Sequence, residues 1–168
     1  NIYLIGFMGC GKTSVSTYLE HVYGMPRIEM DRDIEADCGK PVSQIFAEDG
    51  EEFFREKETL LLKKIAEKEE IVISCGGGVP LRQENVEIMK GSGKIIFLKA
   101  SPETILDHVR RSDRRPLLVG KKNVEDISRM LSVRAPVYEA AADHTVVTDG
   151  KTVTRVGEEV LAIFKREV

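Results

Sequence analysis

Gly6-Phe7-Met8-Gly9-Cys10-Gly11-Lys12-Thr13 spaces two glycines, a lysine and a hydroxyl as G-x-x-x-x-G-K-T. That spacing suits a polyphosphate. Glycines let the backbone approach an anion, and the helix that follows aims its unpaired N–H groups at the same point, so Gly9, Cys10, Gly11, Lys12, Thr13 and Ser14 form a candidate ATP-binding loop. Lys12 would reach the β- and γ-phosphates, and the Thr13 hydroxyl would ligate Mg²⁺. A second constellation is Asp31-Arg32-Asp33. On an extended backbone both carboxylates point to one side and Arg32 to the other. One acid can then hold Mg²⁺, directly or through water, while the other orients an acceptor hydroxyl or takes its proton; a capped helix start with surface acids is the plainer alternative. Arg110, Arg111, Arg114 and Arg115 cluster in a net acidic chain and read as a clamp on phosphate charge. Gly76-Gly77-Gly78 can present backbone N–H groups with no side chain in the way. Taken alone, Arg55 and Arg134 read as solvated surface arginines. Cys10 and Cys75 border the glycine loops without a base beside them in sequence, and His21, His108 and His144 are scattered, so no nucleophile or catalytic histidine is expected.

These side chains need elements to hold them. Ile2 to Ile5 is a short apolar run leading into the phosphate loop, and Val15, Leu19 and Val22 recur at helical spacing until Gly24 and Pro26. Arg27 to Met30 alternates as a short strand that delivers the two acids at its carboxyl end. From Ile34 to Glu70 the pattern is helical, broken near Gly39-Lys40-Pro41 and at Asp49-Gly50, the last piece carrying Phe53, Phe54, Leu60, Leu61 and Ile65, with Phe53 and Phe54 expected to face the core. Ile71-Val72-Ile73 is a buried strand emptying into the triple glycine. A helix from Gln83 to Lys90, a turn at Gly91-Ser92-Gly93 and a strand from Lys94 to Leu98 follow. Ser101 and Pro102 cap and start a helix to about Arg111. Ser112 to Asn123 is a polar loop read as a lid. A helix from about Val124 passes Arg134 to Tyr138, Thr145-Val146-Val147 is the last strand, and Thr152 to Lys165 is an amphipathic helix. Strands alternating with helices require a parallel sheet covered on both faces, an α/β fold. The whole chain, 1–168, is expected to be one domain, with a substrate-binding insertion at about 31–65 and the lid at about 112–123 on its catalytic edge.

Bulk properties exclude other classes. With 42% hydrophobic and 32% charged residues the composition is that of a globular chain, and no apolar run approaches the length of a membrane span. A formal charge of −3 argues against a general nucleic-acid or acidic-membrane binder. Three cysteines without a C-x-x-C pair point away from disulfides and zinc and toward a reducing cytoplasm. The chain enters its first strand without an initiator Met, and is expected to be trimmed or cut from a longer polypeptide.

With these pieces assembled, the chain resembles the shikimate kinase family over nearly its whole length. The resemblance rests on Gly6 to Thr13, Asp31-Arg32-Asp33, Phe54-Arg55-Glu56-Lys57-Glu58, Gly76-Gly77-Gly78, Arg115-Pro116-Leu117-Leu118 and Arg134-Ala135-Pro136-Val137-Tyr138, in the family's order and approximate spacing. It implies a three-layer α/β/α fold of the P-loop, nucleoside-monophosphate-kinase kind, with five parallel strands in the order 2-3-1-4-5. It implies Mg²⁺-dependent transfer of the ATP γ-phosphoryl group to the 3-hydroxyl of shikimate, in aromatic amino-acid biosynthesis. The family likeness further implies that Asp33 contacts the shikimate hydroxyls as base or orienter and that Arg55 and Arg134 hold the carboxylate. Gly77 and Gly78 would border the ring, Asp31 and Thr13 serve Mg²⁺, and Arg115 close with the lid onto ATP. Arg110 or Arg111 would flank adenine, whereas Thr148 to Thr152 departs from the family's adenine loop. A monomer is expected, or a domain cut from or fused to another shikimate-pathway enzyme. Two alternatives stand beside this reading: a sister kinase acting on gluconate or a nucleoside monophosphate, and a nucleotide-binding domain that has lost turnover.

Overall fold

The computed structural model describes residues 1–111 and 123–166. Of the expected lid only Asn123 is among them; Arg115 and the Arg115-Pro116-Leu117-Leu118 stretch lie outside the described residues.

The apolar run Ile2–Ile5 becomes strand β1, buried at every position. It pairs in parallel with β3 (Val72–Ser74) on one side and β4 (Lys94–Lys99) on the other. A strand without alternation fits this central place, where both faces are covered. Strand β2 (Arg27–Glu29) lies outside β3 and β5 (His144–Val147) outside β4, both parallel, giving the order β2-β3-β1-β4-β5. Thr145 and Val147 are exposed at that outer position, as an edge strand tolerates.

Helix α1 (Lys12–Tyr23) packs on β2 and β3 and against α8 (Val153–Arg166), while α5 (Gln83–Ser92) and α7 (Val124–Ala141) pack on β4, completing three layers. Gly24 ends α1 in the left-handed conformation, φ 67°, with its N–H on the Glu20 carbonyl. Helix α6 (Pro102–Arg110) begins as expected: the Ser101 hydroxyl accepts from the Thr104 N–H at 3.2 Å, a cap worth about 1 kcal/mol. Between β2 and β3 the chain forms α2 (Met30–Cys38), α3 (Val42–Glu48) and α4 (Glu51–Ile65). Ile34, Ile45 and Phe54 form a small core of their own beneath these three helices, apart from the main core under the sheet.

Several expectations give way to packing. Phe53 is exposed and only Phe54 is buried, because neighbours on a helix differ by about 100° and both cannot face one core. Val22 is 55% exposed and does not belong to the apolar stripe of α1. Helix α5 runs through Gly91 to Ser92, where a turn was expected; the Ser92 hydroxyl donates to the Ile88 carbonyl at 2.8 Å and pairs with the Tyr3 hydroxyl at 2.7 Å. All five strands point their carboxyl ends the same way, which is the edge where open α/β sheets bind ligands.

Candidate active site

The phosphate loop leaves β1 at Gly6, φ 145°, where a Cβ would lie 2.7 Å from the Leu98 carbonyl and 2.8 Å from Cys10 Sγ. Only glycine fits so tight an exit. Gly11 caps α1 in the left-handed region, and Lys12, Thr13 and Ser14 occupy the helix's first turn, so the loop's N–H groups and the helix dipole converge on one point. Lys12 is buried, with Nζ donating to the Gly6 carbonyl at 2.8 Å and the Phe7 carbonyl at 3.1 Å and 3.7 Å from Cys10 Sγ. Gly9 meets a residue that the sequence reading set aside: His108 Nδ1 on α6 lies 2.6 Å from the Gly9 carbonyl oxygen, to which it donates in the matching tautomer. Ser14 is exposed.

The two aspartates do not share a side. Strand β2 stops at Glu29 and α2 starts at Met30, so Asp31 and Asp33 stand in a helical first turn, rotated by roughly 200° from one another. The extended-backbone expectation is corrected here, and the reason is local: acids are favoured where the helix dipole is positive. Asp31 turns inward; burial raises its pKa, and the Lys12 ammonium opposes that rise. Asp33 is exposed.

Helix α4 brings in Arg55. Its guanidinium lies 5.8 Å from the Phe46 ring centre and 5.6 Å from that of Phe54, and it donates to Glu58 at 2.9 and 3.0 Å and to Glu51 at 3.2 Å. Glu58 is fully buried. Burial pushes its carboxyl up to about 7 even though Arg55 pulls the other way, and Asp31 adds to the rise.

Gly76-Gly77-Gly78, leaving β3, is where these parts meet. A Cβ on Gly76 would lie 2.8 Å from Asp31 Oδ1 and 2.9 Å from Glu58 Oε1, and one on Gly78 would collide with the Arg55 guanidinium. The Gly77 carbonyl accepts from Arg134 at 3.1 Å and from the Tyr138 hydroxyl at 2.7 Å, both from α7. A Cβ on Gly77 would sit 3.8 Å from the Gly6 carbonyl, so the triple glycine abuts the start of the phosphate loop. Arg55, Gly77, Gly78 and Arg134 are thus brought together. Arg111 is not: it is exposed and paired with Asp107 at 3.2 Å on its own helix. Arg110 is exposed too.

The sequence reading assigned no role to Glu29, Glu58, Tyr138 or Ser74. Glu29 Oε1 accepts from the hydroxyls of Thr13 and Ser74, each at 3.0 Å. Glu58 left a local signal in its i, i+3 spacing from Arg55, and Tyr138 in its i, i+4 spacing from Arg134; Glu29 and Ser74 left none. Cys75 is buried and its thiol pushed up by that burial, an inert group.

This geometry has close counterparts. The family model described as shikimate kinase matches residues 8–165. Over 165 residues the chain is 42% identical to the shikimate kinase of Pelotomaculum thermopropionicum, covering 98% of this chain and 95% of that protein. Among solved structures, the shikimate kinase from Acinetobacter baumannii in complex with shikimate superposes with a TM-score of 0.90 at 30% identity, covering 99% of this chain and 93% of that one. A gluconokinase from Sinorhizobium meliloti gives a TM-score of 0.64 at 18% identity, over 99% of this chain and 91% of that one, a likeness of fold alone.

Proposed function

The chain belongs to the shikimate kinase family, and on that premise we propose how its own residues carry the transfer of the ATP γ-phosphoryl group to the 3-hydroxyl of shikimate. The observation that supports the assignment best is the convergence of Arg55 and Arg134 on Gly77 and Gly78, against the exit of the phosphate loop. Two guanidinium groups suit a planar carboxylate, which they bind by paired charge-assisted hydrogen bonds. Arg55 is steadied by Phe46, Phe54 and Glu58, so it is aimed before substrate arrives. The glycines let the ring lie against the backbone.

On the donor side Gly9 to Ser14 wraps the phosphates, and Lys12 exchanges the Gly6 and Phe7 carbonyls for phosphate oxygens. The oxygen donors Thr13 and Asp31 suit Mg²⁺, an ion that binds through one or two protein groups plus phosphates and needs no protein cage. Mg²⁺ supplies neutralisation of the phosphate charge when bound. Asp33, exposed at the carboxyl edge of the sheet, orients the acceptor hydroxyl and accepts its proton as the bond to phosphorus forms. Arg115, outside the described residues, is assigned to ATP, where its charge would offset that of the transferring group, and Arg111 borders adenine once released from Asp107. Residues 31–65 serve as the acceptor-binding insertion of a single kinase domain, working as a monomer in the cytoplasm.

A coupled ADP-release assay tests the assignment. Turnover is expected with shikimate and not with gluconate or a nucleoside monophosphate; the reverse preference would move the chain to a sister kinase.

A further inference from the structure

Glu29 ends β2 immediately before the helix that carries Asp31 and Asp33, and nothing in the mechanism above uses it. Its Oε1 accepts two hydroxyl protons, from Thr13 and from Ser74, each at 3.0 Å. Its Oε2 faces Arg27 NH1 at 3.3 Å, and Arg27 Nε is itself held by Glu20 at 3.1 Å. The carboxylate is mostly buried, 16% exposed, and lies where the ends of β2 and β3 meet the first turn of α1. A hydroxyl that ligates a cation does so through its oxygen lone pairs, so its proton must go to another acceptor. Outer acceptors of this kind orient ligands and tune metal affinity.

We infer that Glu29 is a positioning residue for the metal–nucleotide complex: it draws the Thr13 proton toward β2 and so keeps the Thr13 lone pairs turned to the cation beside the phosphates. This rests on reading Thr13 as a Mg²⁺ ligand. Strand β3 ends in Ser74, so the acid that fixes the phosphate-loop hydroxyl comes from β2, one strand further out. Ser74 is the second donor on the same oxygen and pins the carboxylate in place. Arg27 holds the other oxygen, so Glu29 has one rotamer to offer.

The test measures ADP binding by calorimetry with Mg²⁺ and with EDTA, alongside the Mg²⁺ dependence of turnover. For Glu29→Ala, Mg²⁺·ADP affinity is expected to fall about tenfold while ADP affinity in EDTA stays within twofold. Turnover should need about tenfold more Mg²⁺ and recover most of kcat at saturation. Glu29→Gln keeps an accepting oxygen and should recover most of the loss, which a merely structural role for the charge would not predict. Ser74→Ala removes one of the two bonds that pin the carboxylate but leaves the Thr13 contact, so it should give a smaller loss in Mg²⁺·ADP affinity than Glu29→Ala, with ADP affinity in EDTA within twofold. If Glu29→Ala binds Mg²⁺·ADP like the parent while Thr13→Val does not, Thr13 is a ligand and Glu29 does not position it. If Thr13→Val also leaves Mg²⁺·ADP binding unchanged, the reading of Thr13 fails and the inference falls with it. An equal loss in EDTA for Glu29→Ala would overturn it as well, since the defect would then lie in the loop and not in its metal.

Discussion

The donor half of the site and the acceptor half are built in opposite ways. Gly6 to Thr13 is one continuous stretch, the turn between β1 and α1, and its residues are neighbours in sequence as well as in space. The groups proposed for the acceptor come from four places: Asp33 from α2, Arg55 from α4, Gly77 and Gly78 from the loop after β3, and Arg134 from α7. A contiguous loop carries most of its geometry in its own backbone and borrows single contacts, from Glu29 to Thr13 and from His108 to Gly9, to hold it. A dispersed constellation needs the whole sheet order, because Arg134 and Gly77 stand 57 positions apart and still share a hydrogen bond. If the contrast is right, single substitutions should separate the two halves, each damaging one substrate and sparing the other.

The largest effect belongs where the halves meet, at the transferred proton. Asp33→Asn should lower kcat about a thousandfold and leave the ADP dissociation constant within twofold, because Asp33 is assigned to the acceptor and not to the phosphates. Equal damage to nucleotide binding, read by titration calorimetry, would place Asp33 on the donor side and erase the division. Next come the guanidinium groups. Arg55→Lys or Arg134→Lys replaces a planar fork by a point charge and should cost about 3 kcal/mol in kcat/KM for shikimate, roughly a hundredfold, with the KM for ATP unchanged. A matching loss in the KM for ATP would mean that one arginine serves both substrates.

How much of each half could be read from the sequence follows the same division. The donor loop was legible because its spacing is local and its setting, buried strand before and helix after, is local too. The parallel α/β architecture was legible from alternation, whereas the strand order came from the family likeness, since periodicity says nothing about which strands pair. Asp31 and Asp33 were found, but their geometry was misread: the strand ends at Glu29, one residue earlier than the alternation suggested, and the helix takes both acids. Glu29 left no signal, and Tyr138 stood in the Arg134–Tyr138 stretch with no role, because a hydrogen bond to Thr13 or to Gly77 is made by the fold and has no sequence spacing. Glu58 was visible as an i, i+3 partner of Arg55, yet its burial, which decides its chemistry, was not.

That burial gives a pH test of the acceptor half. In the unfolded chain Glu58 titrates near its ordinary 4.5, whereas burial holds it near 7 in the fold. Its contribution to stability is therefore fully present below 4.5 and is lost as pH rises through 7, by on the order of 3 kcal/mol. Asp31, raised chiefly by burial, acts in the same direction, so the comparison must be between parent and variant. Glu58→Gln should be less sensitive than the parent between pH 5 and pH 8, measured by urea midpoints, while weakening shikimate binding because Arg55 loses its anchor. Parallel pH slopes for parent and variant would show that Glu58 ionises in the fold as readily as in water.

The smallest effect is the sharpest probe of the division, because it removes one atom from the scaffold and none from either substrate's contacts. The Tyr138 hydroxyl donates to the Gly77 carbonyl at 2.7 Å, next to the Arg134 bond to the same oxygen. The ring itself is wholly buried against Phe97, at 5.3 Å between centroids, so Tyr138→Phe keeps the packing and deletes only the donor. One neutral hydrogen bond is worth about 1 kcal/mol, and Arg134 remains on the carbonyl, so stability should fall by about that amount or less. Gly77 also lies against the Gly6 carbonyl, which makes this the point where the acceptor scaffold touches the donor loop. If the halves are separable, Tyr138→Phe should raise the KM for shikimate about threefold to fivefold and leave the KM for ATP alone, the change that roughly 1 kcal/mol allows. A rise of similar size in the KM for ATP would show that Gly77 transmits strain into Gly6, and that the two halves, though built differently, are positioned as one.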